Sequence, residues 1–242
     1  MKTTFLKDNI KVIIFDMDGV LADVSSSYRE AIKKTAEKYL GRIISDIEIQ
    51  CLKDEGGFNN DWKLTFELIK RNVKLNSNIT YEEVKGEFQE TYLGKSNSGL
   101  ISNEKLILNI DVIEELSKKY SLGITTGRPK EEAEFFLKKN GIYDLFKTII
   151  CKEDVGPDEK PDPLGIILAL KKLAEVPSRA IYLGDTVDDM TASTSAGVIG
   201  LGVIPPYAAD KEKLENLLFS KGAKFVLRDI NKLIEALKEW ER

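Results

Sequence analysis

Val12-Ile13-Ile14-Phe15 is the stretch that most narrows what this chain can fold into. Four apolar residues in a row, without polar alternation, fit a strand buried on both faces. In a water-soluble protein that means a parallel sheet covered by helices on each side. The run stops at Asp16-Met17-Asp18-Gly19. Ligands of open α/β sheets bind beyond the carboxyl ends of the strands, so both acids are expected to face a site. Being two residues apart, they would share a face if the extended geometry persisted. Gly19 then lets the chain turn away. Alone, the motif reads as easily as an acidic turn, because Asp and Gly are ordinary turn residues. It is a poor match to an EF-hand calcium loop, whose glycine and closing glutamate fall elsewhere.

The next seventy or so residues change to a helical pattern. Ser25 to Ser27 offer caps for a helix through Tyr28, Ala31, Ile32, Ala36 and Leu40 that Gly41 stops. Ser45 with Glu48, and Thr80 with Glu83, have the spacing of capping boxes. Between those two boxes lies Gly56-Gly57-Phe58-Asn59-Asn60-Asp61-Trp62, a loop rich in backbone freedom and amide donors. After Gly94, the Lys95 to Gly99 stretch reads as a linker. Strands then alternate with helices: Tyr120–Thr126, Thr148–Cys151, Ala180–Gly184, Val198–Ile204 and Lys224–Leu227. Pro129 suits the first position of one helix, Glu153 to Pro163 reads as a charged loop, and Asp229 caps a last helix ending near Trp240. The expected fold is therefore α/β. A doubly wound parallel-sheet core, residues 1–22 and 96–242, would carry an inserted all-α module at residues 23–95.

Composition removes several classes of function. A net charge of −4 leaves no footprint for nucleic acid or an anionic membrane surface. No apolar run approaches the ~18 residues of a membrane span, and the short polar start is not read as a signal peptide. Cys51 and Cys151 lack disulfide or zinc spacing, so a cytoplasmic setting is expected. The chain has no histidine. That removes the commonest general base and transition-metal ligand and leaves carboxylates and hard cations such as Mg²⁺.

Polar clusters end successive strands. Asp16 and Asp18 follow the first, and Thr126-Gly127-Arg128 the second, at a helix N-terminus. Lys160 follows the third, and Gly184-Asp185-Thr186-Val187-Asp188-Asp189 closes the fourth. Each has a plainer reading by itself: a cap, a solvated lysine, an acidic first helical turn. Together they would converge on one crevice suited to phosphoryl transfer. Asp16, Asp18 and Asp185 offer hard oxygens for Mg²⁺. Thr126, Gly127 and Lys160 offer a hydroxyl, backbone N–H and a cation for a phosphate, and a carboxylate can attack phosphorus directly.

In this order the motifs resemble the haloacid dehalogenase-like hydrolase superfamily, in its phosphoglycolate phosphatase-like subfamily with a helical cap between the first two motifs. The matching stretches are Asp16-Met17-Asp18-Gly19-Val20, Ile124-Thr125-Thr126-Gly127-Arg128, Glu159-Lys160-Pro161 and Gly184 to Asp189. The resemblance implies Asp16 as nucleophile and metal ligand. It implies Asp18 as general acid and then base, with its backbone carbonyl on Mg²⁺. Thr126 and Lys160 would hold the phosphoryl group, with Gly127 and Arg128 beside it. Asp185 would be the direct metal ligand and Asp189 its supporting acid, Asp188 being the alternative. In the cap, the resemblance places a specificity loop at 56–62, with Asn59 as its substrate contact.

The expected activity is Mg²⁺-dependent phosphatase chemistry on a small phosphorylated metabolite, through an aspartyl-phosphate. The expected protein is a monomer or small homo-oligomer that engages neither nucleic acid nor membrane. A phosphoglycolate phosphatase-type specialist, a pyrophosphatase and a phosphomutase remain open within the superfamily. Outside it stand a phospho-accepting signalling domain, which is about half this length, and a catalytically dead binding module.

Overall fold

A computed structural model describes residues 10–58, 60–73 and 78–240. The chain divides into two compact units, Met1–Ala22 with Leu106–Arg242, and Asp23–Lys105. Its strands in chain order are β1 (Val12–Phe15), β2 (Ala22–Asp23), β3 (Lys105–Leu106), β4 (Ser121–Thr125), β5 (Thr148–Ile150), β6 (Ala180–Gly184), β7 (Ile199–Val203) and β8 (Phe225–Leu227). Six of them form a parallel sheet in the order β5-β4-β1-β6-β7-β8, while β2 and β3 make a separate pair.

The helices in chain order are α1 (Tyr28–Leu40), α2 (Asp46–Glu55), α3 (Asp61–Asn72), α4 (Tyr81–Leu93), α5 (Ile110–Lys119), α6 (Lys130–Lys139), α7 (Lys152–Val155), α8 (Leu164–Leu173), α9 (Val187–Ser195), α10 (Lys211–Ser220) and α11 (Leu233–Trp240). Val12 and Ile14 pack with Tyr182 against Ile166 and Leu170 of α8 and Met190 of α9. Alternation turns Ile13 and Phe15 to the other face, where Phe15 meets Phe146 edge-on at 6.1 Å. A strand covered on both sides has no polar side to show, which explains the unbroken apolar run. Phe15 lies level with Ile124 of β4 and Leu183 of β6. The three strands therefore stop together, and the chain turns away on either side of β1 as the topological switch point requires.

Two local expectations are corrected and one helix is added. Pro129 precedes α6, its ψ of 147° being extended rather than helical. The charged loop contains α7, whose start is tied by Asp154 accepting from the Cys151 N–H at 2.9 Å. The stretch Lys211–Ser220, not assigned to any element above, forms α10, with Leu214 and Leu218 as the buried anchors and Asp210 as the cap.

The smaller unit is α1 to α4 with the turns that follow. Both capping boxes form, Ser45 with Glu48 and Thr80 with Glu83. Ser27 makes no cap; its hydroxyl donates to Glu104 at 2.7 Å, and the Tyr92 hydroxyl donates to the same oxygen at 3.1 Å. This buried carboxylate and buried Ile101 hold the stretch after Gly94 to the helices. The division accordingly falls at Lys105/Leu106 rather than before residue 96. Asn60 caps α3, accepting from the N–H groups of Trp62 and Lys63, and Trp62 is buried beneath Lys85. Both thus have structural roles; Asn59 lies outside the described residues.

Candidate active site

The site is built where β1, β4 and β6 stop. Asp16 is the first residue past β1, and its N–H still donates to Leu183 O at 2.8 Å, so its backbone is pinned to β6. Strand alternation sends its side chain to the face of Val12 and Ile14, under α8 and α9. Lys160, in the loop before α8, meets it there: Nζ lies 2.5 Å from Asp16 Oδ1, 2.7 Å from Asp189 Oδ1 and 3.2 Å from the Tyr182 hydroxyl.

Asp189 is the third residue of α9 and closes a capping box with Thr186. Its Oδ1 accepts from Lys160 and from Tyr182 at 2.7 Å, and its Oδ2 from the Thr186 N–H at 3.1 Å and hydroxyl at 2.6 Å. Those four donors fill the lone pairs a carboxylate offers. Asp189 thus acts as the counter-ion of Lys160, and Asp188, although buried, does not take that place.

Asp16, Asp185 and Asp189 each present an oxygen within 4.8 Å of the others. Three carboxylates against one lysine leave an excess of negative charge that a divalent cation would cancel. The donors are all hard oxygens, so the set fits Mg²⁺. With Asp189 saturated, Asp16 and Asp185 are the side chains left to hold it. Gly19 is part of the same construction. Its φ is +78°, and a Cβ there would lie 2.1 Å from Asp185 Oδ2 and 3.0 Å from the Tyr207 hydroxyl. The carboxylate of Asp185 occupies the space a side chain would need.

The electrostatics follow from burial. Desolvation pushes the Asp16 carboxyl up to about 7, Asp189 and Asp18 adding to the rise and Lys160 opposing it. Burial works against the charges of Lys160 and Asp189, yet their mutual attraction prevails. Lys160 is held well above its ordinary range, with Asp16 contributing, and Asp189 below its own. Burial and the Asp189 charge keep the Tyr182 phenol neutral, hence a donor.

On the other flank, Thr126 is buried with its N–H on Ile150 O at 2.9 Å, and its hydroxyl accepts from the Arg128 N–H at 3.1 Å. Gly127 between them is half-buried. Arg128 directs its guanidinium to Asp18: Nε and Nη2 lie 2.7 and 2.6 Å from Asp18 Oδ1. The Asp18 side chain is thereby engaged with Arg128 and is not part of the cluster formed by Asp16, Asp185 and Asp189.

Sequence reasoning passed over two groups. Tyr182 sits inside an apolar strand run, and only its register opposite Ile14 places its hydroxyl under Asp16. Tyr207 comes from the loop after β7 and carries no spacing signal.

Known proteins place this geometry in context. The model of the family described as haloacid dehalogenase-like hydrolase matches residues 13–203. The chain is 38% identical over 210 residues to an imidazoleglycerol-phosphate dehydratase of Phytophthora nicotianae; the match takes in 85% of this chain but spans about half, 46%, of that relative. It is 28% identical over 193 residues to a phosphorylated carbohydrates phosphatase of Thermotoga maritima, covering 78% of this chain and 82% of the relative. It is 27% identical over 230 residues to pyrophosphatase PpaX of Bacillus velezensis, covering 89% and 98%. The crystal structure of a β-phosphoglucomutase from Clostridium difficile shares the fold, with a TM-score of 0.71 at 22% identity over 96% of this chain and 97% of that one. A match that starts inside β1 and runs through β7 takes in Asp16, Asp18, Thr126, Arg128, Lys160, Tyr182, Asp185 and Asp189, and the chain belongs to the haloacid dehalogenase-like hydrolase family.

Proposed function

We propose that the chain is a Mg²⁺-dependent phosphomonoester hydrolase that works through an aspartyl-phosphate on Asp16. The observation that supports this most is the placement of Asp16: a buried carboxylate at the end of the central strand, on the Nζ of Lys160 and within reach of Asp185. A buried anion crowded by other acids is a poor resting state, and it suits a group whose task is to attack an electrophile and share charge with a cation. Bound beside Asp16 and Asp185, Mg²⁺ would neutralise phosphoryl charge and keep Asp16 ionised.

In the forward step Asp16 Oδ attacks phosphorus and the bond to the leaving oxygen breaks with its electron pair. A proton from Asp18 completes the alcohol. In the return step Asp18, now a carboxylate, takes a proton from the attacking water. The bond between phosphorus and Asp16 breaks, which restores the carboxylate and frees phosphate. Thr126 and Lys160 hold the phosphoryl oxygens through both steps.

Relatives named for phosphorylated carbohydrates and for pyrophosphate bracket the substrate class, and a small phosphorylated metabolite is the reading adopted. The test is phosphate release from p-nitrophenyl phosphate with Mg²⁺ and with EDTA, for wild type and Asp16→Asn. Hydrolysis should require the cation and fall by at least about three orders of magnitude in the variant. Metal-independent turnover, or an active Asp16→Asn, would overturn the mechanism. Preference for pyrophosphate over a panel of monoesters would move the substrate class.

A further inference from the structure

Arg128 is one of the largest fully buried side chains, at 1% exposure. Burying a guanidinium costs several kcal/mol unless partners compensate it. Here the compensation is Asp18, reached by two nitrogens at 2.7 and 2.6 Å, with the Phe136 ring 5.5 Å from the guanidinium carbon. Both nitrogens converge on one oxygen, Oδ1. Among the described residues Asp18 Oδ2 takes no hydrogen bond. The Asp18 side chain is 31% exposed and lies past the end of β1, where the backbone makes only an isolated bridge to Ala22 and leaves the carboxyl free to rotate. Arg128, by contrast, is braced: its N–H donates to the Thr126 hydroxyl at 3.1 Å and its carbonyl accepts from the Lys152 N–H at 3.0 Å.

Resting on the phosphatase reading above, we propose that Arg128 is a positioning residue that works through Asp18. It occupies Oδ1 and fixes the carboxyl plane, so that Oδ2 is the oxygen that gives its proton to the leaving group and takes one back from water. The brace through Thr126 ties that acid to the residue holding the phosphoryl group. A side chain 1% exposed is closed off from substrate oxygens. Arg128 therefore acts on proton transfer and leaves phosphate affinity alone.

A proton donor matters little for p-nitrophenol and much for phenol, because the nitro group already stabilises the departing anion. The test measures single-turnover phosphorylation with p-nitrophenyl phosphate and phenyl phosphate for wild type, Asp18→Asn, Arg128→Gln, Arg128→Lys and the double variant Asp18→Asn/Arg128→Gln. Arg128→Gln is expected to slow phenyl phosphate at least about tenfold more than p-nitrophenyl phosphate, a fraction of the ~10²–10⁴-fold that general acids supply. KM is expected to stay within about twofold. Arg128→Lys, which keeps the charge but loses the two-nitrogen grip, should recover part of the difference. It also carries the test if Arg128→Gln does not fold. In the Asp18→Asn background the Arg128→Gln change should add less than about twofold.

Equal losses on both esters, a rise in KM alone, or a faster Arg128 variant would each overturn the positioning role. Asp18→Asn keeps the two readings apart. If it is selective between the esters and Arg128→Gln is not, only the Arg128 inference falls. If Asp18→Asn itself is unselective, the acid assignment falls and takes the Arg128 inference with it.

Discussion

Lys160→Met keeps the length of the side chain and deletes its charge. The lost amine lies 2.5 Å from Asp16 and 2.7 Å from Asp189, with the side chain 8% exposed. Removing one member of a buried ion pair costs ~3–5 kcal/mol, since the remaining charge stays buried and unpaired. Asp16 can respond by staying protonated. Its carboxyl already sits at about 7, pushed there by burial, and rises further once the lysine is gone. A carboxyl with a raised folded value contributes stability that is full below its unfolded value of ~3.9 and is lost as pH climbs through the folded value. In wild type that loss is complete a little above pH 7. In the variant it continues upward, at ~1.4 kcal/mol per pH unit. At pH 6 Asp16 is protonated in both proteins and the variant suffers mainly the orphaned Asp189, ~3 kcal/mol. By pH 9 the deficit should reach ~5 kcal/mol or more.

Urea unfolding of metal-free protein measures this deficit. Trp240 stacks on Phe225 at 4.1 Å and reports the larger unit, provided the chain's other tryptophan, Trp62, is replaced by Phe in both proteins. A deficit under about 1 kcal/mol, or one equal at pH 6 and pH 9, would refute the picture of Lys160 as the cation that balances buried acids.

Gly19→Ala must move the Asp185 carboxylate, because the new Cβ would come within 2.1 Å of it at a φ of +78°. Calorimetric titration should show Mg²⁺ affinity down about ten- to a hundredfold, and unchanged affinity would place the cation elsewhere. Cys151 is buried and its thiol is pushed up to about 12 by desolvation, then by Asp154 and Glu153, whereas Cys51 is exposed. A thiol-exchange reagent at pH 8 should therefore titrate Cys51 alone in the folded protein and both of the 2 cysteines after unfolding; two fast thiols in the folded protein would contradict this. The raised thiol value also means that its stabilising contribution, full below ~8.5, fades as pH rises toward about 12. Thr80→Ala removes the hydroxyl that accepts from the Glu83 N–H at 3.3 Å. It should cost the smaller unit ~1 kcal/mol on Trp62 fluorescence and leave the Trp240 transition in place; a shift of the latter would count against the division of the chain.

What the sequence disclosed and what it withheld have physical reasons. β1 and β6 were legible because strands buried on both faces must be apolar throughout, and so short an apolar run between turn residues suits little else. The capping boxes at Ser45 and Thr80 were legible because their partners lie three residues away. Ser27 misled for the opposite reason: its partner, Glu104, is far along the chain, and no local pattern announces such a contact. α10 was missed although Asp210 caps it and Leu214, Leu217 and Leu218 fall at helical spacing, because so short a trace sits among charged residues. Within the site, acids at strand ends were visible as a set. The pairing of Arg128 with Asp18, and of Tyr182 with Asp189 and Lys160, depends on which side chains reach across between elements, and spacing along the chain does not encode that.

The place of β1 in the sheet also shapes how the protein is made. Of the six strands in the sheet it is made first, yet it lies inside the finished sheet between β4 and β6, and its partners begin only at Ser121 and Ala180. At ~5–20 residues per second, seconds pass before either partner exists. Val12 to Phe15 must wait during that time as an apolar strand with both edges unpaired, while the helices of Asp23–Lys105, closed by local contacts, can form at once. Synthesis therefore puts the helical unit first and the cluster of Asp16, Lys160 and Asp189 last. Asp16 reaches its working position only when β6 arrives, because the carbonyl that pins its backbone is that of Leu183. A nascent chain stalled before Ala180 would carry a folded helical unit, an exposed hydrophobic strand and an Asp16 not yet pinned, which makes it a natural client for chaperones that bind short extended apolar segments.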